Sequence, residues 1–418
     1  MQFKSLVAIS ALAGAALAAN NSTLTTATPS VASGCSFSSF VATASAQVQQ
    51  VAACATAVGD ITIRGDSFGS IELTGLEQVF GSLKIQNTTL ATTINAPTLQ
   101  LISEDFELSG LTILNTLNLA QLNTVGSLNW VTLPALESTG LTQGITAADS
   151  VVISDTGLTA LTGINVVELQ TFDVNNNQDI NTIDSALQSV TSLLSISYNA
   201  ESVDVVLDEL TSAKNVVFQS INSLSVGNLT TINGSLSVSQ SSIDAIEFKD
   251  LTSISNSLTI NKNSELESLD FPKLTSIGGA LEISDNDKLK SFDGFPELKT
   301  IGGSVDINGT FDNGTFESLS RVAGGFTLKS DGDISCEEFN KLNSDGDIKG
   351  NKFFCANAAG ASSSSSSSKK GSSTDSSDST ETASETETSS TKASDASVHS
   401  GFLASLIAGF AALGVALY

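Results

Sequence analysis

The sequence predicts a mainly β protein: a right-handed parallel β-solenoid of about 14 coils of about 22 residues, with disulfide-stapled caps at both ends. Three observations carry that expectation. A short apolar-x-apolar unit recurs at a nearly fixed step. A second apolar pair keeps phase with it. All four cysteines fall at the two ends of the repeating region.

The unit's second apolar residue falls at Ile63, Ile85, Leu108, Trp130, Ile153, Val174, Ile196, Phe218, Val238, Ile260, Ile283, Ile307, Leu328 and Ile348, in steps of 20 to 24 residues. The residue two positions earlier is apolar in every case but the last. Alternation with period two marks a strand with one buried face. A step of this size marks coils that bury their apolar residues only against neighbouring coils. An L-x-x-[IV] pair precedes the strand, as in Leu251/Ile254, Leu274/Ile277, Leu298/Ile301 and Leu319/Val322. Gly278-Gly279, Gly302-Gly303 and Gly324-Gly325 stand at the turn into the strand, where access to positive φ suits a tight corner. Pro97, Pro272 and Pro296 each stand two residues before a phased Leu, at corners where no ladder N–H is lost. The coil containing Pro134 and Leu136 breaks phase, so residues 136–150 are expected to hold a bulge or loop.

The cysteines close the ends. Cys35 and Cys54 precede the first coil, and Cys336 and Cys355 flank the last. Strands about 4.8 Å apart give a stack about 60 Å long, whose ends cannot meet, so the two local pairings are favoured. Each closes a loop of about 20 residues, worth about 3 kcal/mol in the chain-entropy account. Helical spacing of Phe37, Phe40, Val41, Ala44, Val48 and Val51 predicts a short helix in the first cap. Ser335 followed by Glu338 has the pattern of a capping box opening another.

The chain divides accordingly. Residues 1–18 read as a secretory signal, with Lys4, an apolar run and small residues at Ala16 and Ala18. Residues 19–34 form a glycosylated leader, 35–58 the N-terminal cap, 59–335 the solenoid and 336–360 the C-terminal cap. Residues 361–394 read as a disordered stalk: of residues 361–400, 24 are Ser or Thr, which leaves too few apolar groups to bury. Residues 395–418 end in an apolar, uncharged run and read as a GPI attachment propeptide. Ser394 is the expected attachment residue, with Ala393 and Asp395 as rivals. Asn20, Asn21, Asn87, Asn228, Asn233, Asn308 and Asn313 head N-x-S/T acceptor patterns.

Composition excludes several chemistries. The net charge is −26, with two arginines, so no phosphate-binding patch for nucleic acid is expected. The single histidine, His399, lies in the Ser/Thr-rich tail, which leaves a folded body without a Ser-His-Asp triad or a His-based zinc site.

The signal, the stapled ends, the L-x-x-[IV] coils from Leu251 to Val322, the stalk and the apolar tail together resemble one family. These are the fungal GPI-anchored cell-wall-organisation proteins built on a receptor L-domain-like, leucine-rich fold. The resemblance spans nearly the whole chain. It implies a place on the extracellular face of the plasma membrane or in the wall, and a part in wall integrity. It implies membrane attachment through the GPI lipid, and a wall polysaccharide or surface protein as partner. No catalytic residue and no cofactor are carried over.

Residues between and just after the paired strand positions should line one long polar face running from Thr62 and Arg64 to Asp347 and Lys349. Glu107, Asp173, Asn175, Asn261, Glu282, Asp306 and Asn308 are the candidate contact residues on it. A solvated sheet face explains the same pattern without a ligand. Glu282 and Asp306 fall on adjacent coils, at a spacing that suits a retaining glycosidase, although such an acid needs burial to raise its pKa. Trp130 and most phenylalanines fall at inward positions, which reads as core. Asp285-Asn286-Asp287 and Asp331-Gly332-Asp333 have calcium-ligating residue types, which are also the types that turns prefer. The expectation is a non-enzymatic surface glycoprotein acting as a scaffold or binding solenoid. The alternatives are a β-helical glycan hydrolase or transglycosylase, and an adhesin binding a protein ligand on the sheet face.

Overall fold

The computed structural model describes residues 28–358. The signal segment, Asn20 and Asn21, the stalk and the proposed anchor site lie outside the described residues. Within them the chain is a parallel β-solenoid. One strand from each coil joins a single continuous sheet, from Phe40–Ala42 through Ile61–Arg64 to Phe353–Ala356, with every pairing parallel. Fourteen rungs, and so thirteen turns, run from Ile61–Arg64 to Phe353–Ala356, and Phe40–Ala42 adds one rung ahead of them.

The inward positions are the two apolar columns. Ile61 and Ile63 pair with Leu83 and Ile85, Leu258 and Ile260 with Leu281 and Ile283, and all are buried. The L-x-x-[IV] pairs form a second parallel run at the corner, where Ile232, Ile254, Ile277, Ile301 and Val322 stack in register. Phe248, Phe271 and Phe295 stack beneath that corner with ring centroids 5.2 and 4.9 Å apart. Pro272 and Pro296 open the turns at this corner, which the Leu274 and Leu298 N–H groups close onto the Phe271 and Phe295 carbonyls. In the coil after Pro134, Ile145 and Ala148 restore the phased pair, and Ala147 bridges Thr124.

The corner after the strand differs from the expected one. Eleven successive coils place the second residue after the strand marker at positive φ, and only Gly65 and Gly110 among them are glycine. The others include Asn87, Thr132, Asp155, Asn176, Tyr198, Ser220, Gln240, Lys262 and Asp285. From Thr88 onward the next residue is turned inward. Buried Thr156, Asn177, Asn199, Ser241, Asn263 and Asn286 form a polar ladder under this corner. Asn263 Nδ2 donates to the Val238 carbonyl at 3.0 Å and to Asn286 Oδ1 at 3.1 Å, while its Oδ1 accepts from the Ser241 N–H at 3.0 Å. The ladder supplies partners for backbone groups that the left-handed corner takes out of the sheet.

The paired glycines therefore serve another purpose than positive φ. A Cβ on Gly302 would lie 2.1 Å from the Gly278 carbonyl oxygen, and one on Gly278 would lie 2.0 Å from the Ser255 oxygen. They allow successive coils to approach backbone to backbone.

Each cap is tied by its disulfide, Cys35–Cys54 and Cys336–Cys355, with Cα atoms 5.7 and 6.0 Å apart. Three expectations are corrected here. Helix α1 spans only Ser45–Ala52; Phe40–Ala42, assigned to it from spacing, is the first strand, because Phe40 pairs with Ile61. Helix α2 spans Glu337–Ser344 with Cys336 at its N-cap, and no capping box forms. Ser335 Oγ instead accepts from the Glu337 N–H, and Glu338 Oε1 accepts from the Phe316 N–H. The last rung is Phe353–Ala356, not the unit around Ile348. Helix α2 lengthens that coil, so Ile348 drops into the corner column beside Val322 and Cys355 takes the inward strand position beside Leu328.

Candidate binding face

Alternation along each strand fixes what the sheet presents outward. The first outward column runs unbroken from Val41 and Thr62 through Lys84, Glu107, Asn129, Val152, Asp173, Ser195, Val217, Ser237, Thr259, Glu282, Asp306 and Thr327 to Phe354. The second runs from Arg64 to Lys329 and ends on Ala356. Asp347 and Lys349 leave both columns because the last rung moved.

The seven candidate contact residues all lie on this face, and Glu107, Asp173, Asn175 and Glu282 are joined to their neighbours by polar bonds. Glu107 accepts from Gln86 Nε2 at 2.7 Å and from Ser109 Oγ at 2.9 Å. Lys84 reaches Asp105 at 3.0 Å and Glu107 at 3.9 Å; the hydrogen bond to Asp105, against partial desolvation, holds its ammonium above the ordinary lysine range. Asn175 donates to Asp173 at 2.9 Å and accepts from Ser154 Oγ at 2.6 Å. Asn261 sits in register between Ser239 and Ser284. The seven do not converge. Nine rungs separate Glu107 from Asp306, about 43 Å at a strand spacing near 4.8 Å. A face of this length suits an extended ligand or a broad partner rather than one small molecule.

Glu282 and Asp306 are register partners, as expected. Ser284 Oγ donates to Glu282 at 3.2 Å, and Asp306 is exposed. The pair lies open on the sheet, with nothing to exclude water from it. The rings that would line a sugar cleft point inward: Trp130 is fully buried and meets Phe106 edge-on, with centroids 6.1 Å apart. The calcium candidates do not assemble. Asn286 is committed to the buried ladder between exposed Asp285 and Asp287, and no group of three or more His, Cys, Asp or Glu placed to hold a metal occurs among the described residues.

Asn87, Asn228, Asn233, Asn308 and Asn313 are all exposed. Asn308 lies on the sheet face itself, between Ser284 and Lys329. One surface feature escaped the sequence reading. Tyr198 occupies the left-handed corner and is 46% exposed. The signal was present as a tyrosine two places after a strand marker, where the other coils carry small or polar residues.

A disulfide-stapled parallel solenoid with one long polar face and exposed glycosylation patterns defines the class: a repeat-built protein that displays a surface. The chain belongs to the fungal ECM33/PST1 family of cell-surface GPI-anchored and cell-wall proteins. It is 38% identical over 334 residues to the Cell surface GPI-anchored protein ECM33 of Candida albicans, covering 79% of this chain and 81% of that one. It is 33% identical to Protein ecm33 of Aspergillus fumigatus, covering 71% and 74% of the two chains. It is 35% identical to the Cell wall mannoprotein PST1 of Saccharomyces cerevisiae, covering 77% and 72%. None of these names is that of an enzyme. No protein-family model and no solved structure matches the chain.

Proposed function

We propose that this chain is a non-enzymatic, GPI-anchored surface glycoprotein that helps organise the fungal wall as a scaffold or binding solenoid. The observation that carries this reading is the sheet face: fifteen rungs, continuous, mostly polar, with the cross-strand acid pair Glu282 and Asp306 half-exposed and exposed on it. Catalysis of glycoside cleavage requires an acid held protonated by burial beside a second carboxylate, in a site that grips the sugar. Glu282 and Asp306 have no such surroundings. The family's names support the location. Small residues at Ser394, Ala393 and Asp395 ahead of an apolar run support lipid attachment there, and the Ser/Thr-rich composition of residues 361–394 supports a spacer. The five exposed sequon asparagines support a glycosylated body. The partner is a wall polysaccharide or another surface protein.

The test is a product-size assay. The mature glycoprotein is incubated with labelled β-glucan, chitin and mannan oligosaccharides, and chain lengths are followed by chromatography. An unchanged profile is expected. Shorter or longer products above a mock preparation, lost in Glu282→Gln or Asp306→Asn, would overturn the reading.

A further inference from the structure

The left-handed corner column passes Asp155, Asn176, Tyr198, Ser220, Gln240 and Lys262 on successive coils. Of the described residues, Tyr198 is the exposed aromatic ring, and its backbone sits at φ 52°, where a bulky side chain is disfavoured. Its hydroxyl is held from both sides. Gln219 Nε2 donates to it at 2.6 Å, and it donates to Gln240 Oε1 at 2.9 Å. Gln219 and Gln240 also bond each other, and Gln178 Nε2 donates to the Tyr198 carbonyl at 3.1 Å.

These bonds fix the ring. The phenol starts on its own coil and ends on a partner two coils away, so it lies along the stack, across the coil that carries the small Ser220. With 46% of the residue exposed, the ring held this way stays open to water. A ring already locked in place loses little freedom when a ligand covers it.

We propose that Tyr198 is the stacking platform of a subsite for a neutral hexopyranose unit of a wall polysaccharide. This deepens the binding-solenoid reading and rests on it. A β-linked glucose ring carries its C–H bonds axially, giving a flat apolar face that matches an aromatic ring. Its equatorial hydroxyls then reach the rim, where Asn176, Gln178, Gln219 and Gln240 supply amides. None of these groups is charged, and the chain carries −26 overall, which selects a neutral glycan over an acidic one. The neighbouring sheet columns extend the platform along the polymer.

The experiment titrates the mature glycoprotein with laminarihexaose, with mannohexaose and with an oligogalacturonate, by calorimetry. Binding of a neutral hexamer is expected and binding of the acidic one is not. Tyr198→Asn places at the corner the residue type that Asn176 already supplies one coil earlier, so the fold and melting temperature are kept. This variant should bind about three- to tenfold more weakly, the range expected for one lost aromatic contact. Tyr198→Phe should keep most of the affinity. Equal affinity of wild type and Tyr198→Asn would overturn the proposal, as would no binding of either neutral hexamer or preferred binding of the acidic one. None of these results touches the non-enzymatic reading, which is tested by product size. Undiminished binding in Tyr198→Asn would locate the glycan site elsewhere on the solenoid.

Discussion

Asn263 and Asn286 show how single polar residues hold a coil whose strands are otherwise apolar inside. Asn263 is fully buried and makes three hydrogen bonds, to the Ser241 N–H, the Val238 carbonyl and Asn286. Asn263→Ala should cost about 2–4 kcal/mol, at about 1 kcal/mol per net bond plus the groups left unpaired. A urea titration followed by circular dichroism checks this. Asp204 gives a pH dependence. It accepts from Ser223 Oγ at 2.5 Å and Asn222 Nδ2 at 3.0 Å on the next coil. Those bonds, Ser223 first, pull its pKa below the ordinary 3.8. The folded value is then the lower one, so this contribution is present above 3.8 and is lost as pH falls through the folded value. Asp204→Asn should flatten the acid side of the melting-temperature profile slightly, because the group is near the surface. A wild-type and variant profile identical below pH 4 would contradict this. The polar ladder was not legible in the sequence, because a search for apolar period sees a buried Asn as one more turn residue. Tyr198 is hidden for the same reason.

Elements were legible wherever the period of the chain and the period of the fold coincide. The strands from Ile61 to Leu328 lie where alternation and step put them, because each coil has the same cross-section to close. The last rung was misplaced because helix α2 adds residues to one coil, and a fixed step cannot see an insertion. The glycine pairs stand out in the sequence as corners, but their close approach to the preceding coil does not. Their constraint is contact between coils, which a single sequence does not display. Gly302→Ala should therefore destabilise strongly, by more than about 2 kcal/mol, since its Cβ meets a carbonyl oxygen at 2.1 Å. Faster amide exchange confined to residues around 302–305 would be the signature. Replacing Cys336 and Cys355 together by Ser should remove about 3 kcal/mol from the C-terminal cap. Because repeats are coupled only to neighbours, the loss should appear as early exchange of α2 and the last rung, with the middle coils unaffected.

At the scale of the molecule, architecture and surface chemistry are two separate results. Thirteen turns with stapled ends make a stiff display surface, and the polar columns give it a uniform wet face. The fold class and the end-localised disulfides were readable from repeat and punctuation, and the family from the resemblance of the whole arrangement. The occupant of the face was not, because a run of Ser, Thr and Asn looks the same whether it meets water or a polymer. The proposal that the solenoid organises the wall without catalysis is tested most directly by complementation. A fungal strain lacking its own family member is supplied with the wild-type chain or with Glu282→Gln/Asp306→Asn, matched for surface display. Wall integrity is then measured as resistance to glucanase digestion. The account predicts equal rescue by both. Rescue by wild type alone, at equal display, would contradict it and return the acid pair to the centre of the mechanism.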